Sequence, residues 1–252
     1  MSVTIRAAIL FEIVRVTARQ LLGRRRTLLL LLLSGLPILL AVVFRAAGEA
    51  SVMRFTRSAF DTVDMTILLP LVAILFGSGA FGAEADEGTL AYLLAKPIPR
   101  WVVVMGKALA AVLLSVVLTG VSTAIAGVIA IVPEGADGVA ATEAMVLAVV
   151  VGSLCYASLF LAVSLFTRRA LVIGIGYMLV WEGAMSLLLP GIANLSIRQY
   201  ALGAASAIFK LPIETARLSA DTAITLAAIL LVASLGIATW RLMRFELPGG
   251  TD

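Results

Sequence analysis

The 252-residue sequence predicts an all-α integral membrane protein with six transmembrane helices, and three observations carry that reading. Hydrophobic residues make up 62% of the chain and charged residues 13%, with a mean hydropathy of +1.11, which is too apolar for a soluble domain. Six apolar runs approach or exceed the ~20 helical residues needed to cross ~30 Å of hydrocarbon. The runs are continuously apolar, whereas barrel strands would alternate over ~10 residues.

The chain opens on a different kind of element. Over residues 3–23, Ile5, Ile9, Ile13 and Val16 share one side of a helical wheel, while Ala8, Glu12, Arg15, Arg19 and Arg26 fall on a separate stripe. This pattern predicts an amphipathic helix lying in the headgroup plane against membrane lipid, with Gly23 and Arg24 to Arg26 turning the chain inward. Three arginines ahead of a leucine-rich run also fit a secretory signal, but the charged lead-in is long and no clear small-x-small cleavage site follows.

The expected spans are Leu28–Phe44, Met65–Ala83, Ala108–Val132, Ala144–Phe166, Ala170–Ala193 and Thr222–Trp240, all within one transmembrane domain covering residues 1–252. The first is short, and the fifth contains Gly174, Gly176 and Pro190. Orientation follows the placement of Lys and Arg. With both termini in the cytoplasm, thirteen of the 19 basic residues lie inside, and Arg45, Arg54, Arg57, Arg198, Lys210 and Arg217 lie outside. The loop from Pro133 to Glu143 holds acids and no base, as an outer loop should. The formal charge of +4 thus reflects topology and anionic lipid, and gives no reason to invoke nucleic acid.

Between the second and third spans lies Glu84–Lys107, EADEGTLAYLLAKPIPRWVVVMGK, more elaborate than a turn requires. Glu84, Asp86 and Glu87 form an acidic mouth, Gly88 ends one helix and Thr89 caps the next. Leu90, Leu93 and Leu94 share a face beside Tyr92, and Pro97 forbids continuation. The result is an apolar knob between acid and the basic Lys96 and Arg100. Such a knob suits a groove on a partner protein, with the alternative that it rests on lipid headgroups.

Glu84, Glu87-Gly88-Thr89, Leu93-Leu94, Pro97-Ile98-Pro99-Arg100 and Gly106-Lys107 together resemble the signature after the second membrane helix in permease subunits of ATP-binding-cassette exporters of the second type. The look is that of the short six-helix form without a fused ATPase, close to the branch that includes permeases serving copper-enzyme maturation. The resemblance implies that residues 3–23 are an elbow helix and that residues 84–107 hold a cytoplasmic coupling helix seated in an ATPase cleft. It also implies short re-entrant helices in the outer loop 190–221, before the sixth helix. Two copies of an ABC ATPase would carry ATP and Mg, this chain would hold no cofactor, and a second permease copy would complete a homodimer or related heterodimer in the cytoplasmic membrane. An apolar path favours lipid-like or amphipathic cargo, although the family also handles polysaccharides, peptides, drugs and small sulfur species.

Other classes fare worse. No G-x-x-x-x-G-K-[ST] phosphate loop occurs, so ATP hydrolysis would fall to the separate subunit and this chain is not an enzyme. Gly77 to Gly82 satisfies G-x-G-x-x-G, but no strand precedes it, and small residues at Ser78, Gly82, Gly120, Ala124 and Gly127 more simply allow close helix contact. With no histidine and a single Cys155, histidine-based catalysis and His-ligated zinc are excluded. Glu182 lies within the fifth span, where a carboxylate is costly; with Met178, Met185 and Ser186 it marks a translocation path or dimer seam, or else a hydrogen-bonded packing acid. The alternative function is a force-transmitting or scaffold protein that engages an extracytoplasmic partner and moves no solute.

Overall fold

The structure is a computed structural model, and it describes residues 3–23, 25–48, 51–86, 98–185, 194–207 and 216–244. These residues form helices and no strand. Helix α1 is Val3–Leu22 and α2 is Arg25–Ala46. A second rod begins as α3 (Val52–Phe55), widens into a π-helical stretch at Thr56–Leu68 and continues as α4 (Leu69–Asp86). A third rod is α5 (Arg100–Ser115), a π turn at Val116–Gly120 and α6 (Val121–Ala130). The fourth is α7 (Ala136–Ser164), and the fifth is α8 (Ala170–Gly176) with a π stretch at Tyr177–Met185. A short helix α9 (Ile197–Ala205) precedes α10 (Ala220–Met243), the last rod.

Five of these rods are long and apolar enough to cross a membrane, and the fifth in order, at Ala170–Gly183, is a shorter apolar helix. The all-α reading therefore stands, with shifted boundaries. The second rod starts at Val52, so most of the expected outer loop Arg45–Asp64 is helical. The third starts at Arg100, so the last part of the insert belongs to the rod. The turn after α6 is tighter than expected. It places a single 3-10 turn at Val132–Glu134 before α7, with Gly135 at φ +93°, a conformation open to glycine at little cost. Glu143 thereby falls inside a helix.

The core lies between the second and fourth rods. Phe76, Ala80 and Phe81 of α4 are buried, as are Ala148, Tyr156, Ala157 and Phe160 of α7. The approach is close because Gly77 faces Ala157, where a Cβ would sit 2.5 Å from the Ala157 carbonyl oxygen. Of the two small residues expected to allow close contact here, Ser78 is buried, whereas a Cβ at Gly82 would meet nothing within 4 Å. In α2 the turn before Pro37 is supported from outside, since Ser122 donates to the Ser34 carbonyl. Only 22% of the most apolar stretch of α2, and of α10, is buried, against 61–67% in the second, third and fourth rods. The first and last rods therefore present apolar side chains outward.

Candidate functional site

Two buried polar nodes lie at opposite ends of the bundle. The first is at the end carrying α1. That helix packs along α5, where a Cβ on Gly106 would meet the Ile13 side chain at 2.6 Å, while Leu21 rests near Gly79 of α4. Beneath it Lys107, 1% exposed, directs Nζ to the Ala80 carbonyl at 2.6 Å and to Glu84 Oε1 at 2.8 Å, and stands 4.8 Å from the Phe81 ring centroid. A buried ammonium is tolerated only when so surrounded. Glu84 Oε2 is also buried and has no partner among the described residues. A cavity of about 280 Å³ opens beside the pair, lined by Ile9, Glu12, Ile13, Val16, Thr17, Glu84, Ile98 and Lys107.

This ion pair ties together the roots of the central insert. Asp86 is the last residue of α4, and Arg100 opens α5 after an N-cap at Pro99. Glu87, Gly88, Thr89, Leu90, Tyr92, Leu93, Leu94, Lys96 and Pro97 lie outside the described residues. Whatever the insert does, it is attached to two rods bonded to each other at its base.

The second node lies at the far end, around Glu182. This residue is 1% exposed and collects four donors: Tyr177 Oη at 3.1 Å, Ser196 Oγ at 2.6 Å, and the Ile197 and Arg198 backbone N–H groups at 2.8 and 3.4 Å. Two of these are orphan N–H groups of α9, so a carboxylate from the fifth rod caps a helix that Ser196 already caps from within. Each of these four contacts is a donor to the carboxylate. Arg198 then reaches the second rod, with Nη2 2.5 Å from Asp61 Oδ1. The whole of α9 is buried, packed on α7 and α10.

Asp61 and Asp64 both sit on the π stretch, whose i→i+5 turns spread residues three apart further than an α-turn does. Asp61 faces Arg198, whereas Asp64 accepts from Thr123 Oγ1 of α6 at 3.0 Å.

Of the residues singled out from sequence, Glu84 and Glu182 each anchor a node, and Met178 is buried on the same π stretch as Glu182. Met185 ends that stretch, and Ser186 lies outside the described residues. Lys107, expected as a basic exit, is instead a buried partner. Sequence reading missed Asp61, Asp64, Thr123, Tyr177, Ser196 and Arg198 as site residues. One signal was present: Ser196-Ile197-Arg198-Gln199 has the spacing of a capping box and marks the start of α9.

Comparison with known proteins gives the family. The family model described as ABC-2 family transporter protein matches residues 38–247. The chain belongs to the ABC-2 transporter family. It is a permease-type, multi-pass membrane protein of a transporter, and both polar nodes fall largely within the matched region. Helix α1 and the start of α2 precede that region, so the elbow side of the first node stands on geometry alone. No curated protein matches the ABC-2 chain.

Proposed function

We propose that this chain is the membrane subunit of an ATP-driven exporter in the cytoplasmic membrane. A separately encoded ABC ATPase docks on the Glu84–Arg100 segment and supplies ATP and Mg, and the α1 end of the bundle is cytoplasmic. The observation that carries the reading is the Lys107–Glu84 bond at the root of the insert, with α1 seated on the same root. Force applied to the insert reaches the second rod, the third rod and α1 at once. Orientation is supported by charge. Once the buried partners Lys107 and Arg198 are set aside, the remaining basic residues still favour the α1 end, including Arg15, Arg19, Arg168, Arg169, Arg241 and Arg244. The outward apolar faces of α2 and α10 are consistent with a paired permease, two copies working with two ATPases.

In this cycle the ATPase pair closes on ATP and presses the insert, and the second rod tilts. At the outer end, α9 is the element that must move, held by Glu182 and by Arg198–Asp61. Glu182 is thus a pin of the outer gate, and cargo would pass between protomers. The test is affinity capture of the chain after gentle solubilisation, with ATPase activity assayed on the eluate. Co-purification of a nucleotide-binding subunit that is lost in Leu93→Asp/Leu94→Asp is expected. Recovery of the chain alone, without ATPase activity, would overturn the docking assignment.

A further inference from the structure

Four arginines gather where α7 turns into α8 and α10 ends. Arg168 and Arg169 lie in that turn, and Arg241 and Arg244 stand one helical turn apart at the end of α10. The two parts meet: α7 packs along α10, and Arg241 Cζ lies 5.3 Å from the ring centroid of Phe166, which belongs to the turn. Arg244 Cζ lies 4.4 Å from the Trp240 ring. Backbone bonds hold the turn in place, with Thr167 N–H donating to the Val163 carbonyl and Arg169 N–H to Thr167 Oγ1. None of the four arginines has a carboxylate partner among the described residues, α7 holds no acid after Glu143, and α10 holds none after Asp221. The inward bias of basic residues accounts for charge at this end, but not for two guanidiniums seated on half-exposed aromatic rings where two spans end. A ring attracts a guanidinium through its charge and leaves N–H donors for an oxyanion.

We propose that this surface patch holds an anionic phospholipid, its phosphodiester accepting from Arg241 and Arg244 within the added field of Arg168 and Arg169. Charge complementarity selects an anion, and Arg is the side chain whose planar fork matches a phosphate. The surroundings select a lipid. Trp240 and Phe166 are half exposed at the ends of their spans, where aromatic side chains sit at head-group depth. Ile237 is exposed on the same face of α10 one turn further into the span, so an attached acyl chain gains apolar contact that a soluble phosphate cannot. A lipid bound there links the turn between the fourth and fifth rods to the end of the last rod. The inference requires only that the chain lie in a bilayer and stands apart from the exporter reading.

The test is native mass spectrometry of the purified, delipidated full chain, titrated with phosphatidylglycerol or phosphatidylcholine of the same acyl chains. The first lipid bound should be phosphatidylglycerol. Arg241→Gln/Arg244→Gln should cut that preference by about thirtyfold, the effect of two arginines beside an anionic head group. Arg15→Gln/Arg19→Gln removes the same charge from α1 and should change it by less than about threefold. A melting curve checks that each variant is folded. If Arg241→Gln/Arg244→Gln does not fold, Arg168→Gln/Arg169→Gln, at exposed positions, takes its place. No preference in the parent chain, or equal losses in the α10 and α1 variants, would overturn the proposal, the latter showing only the diffuse attraction of a basic chain. An undiminished preference in a folded α10 variant would overturn it too, and loss of a co-purifying ATPase subunit from that variant would then assign the patch to protein docking.

Discussion

Replacing Lys107 with methionine is the most direct test of the bond at the base of the insert. The side chain is 1% exposed, so methionine fills nearly the same volume while removing the charge. Glu84 then keeps a carboxylate, largely buried at 14% side-chain exposure, with its cation gone. Losing one member of a buried pair costs ~3–5 kcal/mol. The residual exposure of Glu84 lets water reach it in part, which places the expected loss at the lower end, about 3 kcal/mol. At ~2–4 °C per kcal/mol for a chain of this size, melting should fall by roughly 6–12 °C. Glu84→Leu/Lys107→Met removes both charges and should recover most of that loss, because apolar replacement of a buried pair is close to neutral. The assay is thermal unfolding in a fixed detergent, followed by tryptophan fluorescence from Trp101, Trp181 and Trp240. Unchanged melting in Lys107→Met, or a double variant as unstable as the sum of its singles, would refute the reasoning.

Three further outcomes are expected. Glu182→Ala strands four donors, each worth ~1–3 kcal/mol when buried and unpaired, so it should lower melting and open the loop around α9 to proteolysis, with Glu182→Gln intermediate. Gly77→Val should destabilise by ~1–3 kcal/mol through overpacking against Ala157, whereas Gly82→Ala should leave melting unchanged. Glu87→Lys should reduce ATPase stimulation in the assembled complex at normal melting, while Glu84→Lys should lower melting by placing a second ammonium beside Lys107. Normal melting in Glu84→Lys would deny the pair a structural role.

Hydropathy made the rods legible because burial in lipid requires the same long apolar run whatever the partner. It placed their ends poorly where charge enters the bundle. The second rod was expected to start at Met65 because Arg54, Arg57, Asp61 and Asp64 read as loop residues. In the fold Asp61 meets Arg198, 137 residues away, and no local pattern announces that partner. Lys107 was assigned to a loop for the same reason, although Val102 to Val104, Ala108, Ala110 and Ala111 flank it with buried apolar residues. The intramembrane cost of Glu182 was visible from sequence, but its answer was not, since three of the four donors described come from the start of a different helix.

The polar contacts also divide the bundle into parts with different stiffness. At mid-depth the second rod meets its neighbours through small residues, Gly77 on Ala157 and Ile74 on Gly174, contacts that depend on shape. At its two ends it is fixed by charge, to Lys107 near α1 and to Arg198 near α9. Directional bonds at both ends of one helical rod make it the element through which a displacement at the insert is felt at α9. The π stretch at Thr56–Leu68, where i→i+5 turns replace the α-helical ladder, itself carries the Arg198 contact at Asp61. A force travelling along the rod therefore reaches the outer pin through its least regular turns, which is where a rotation of Asp61 away from Arg198 meets the least resistance.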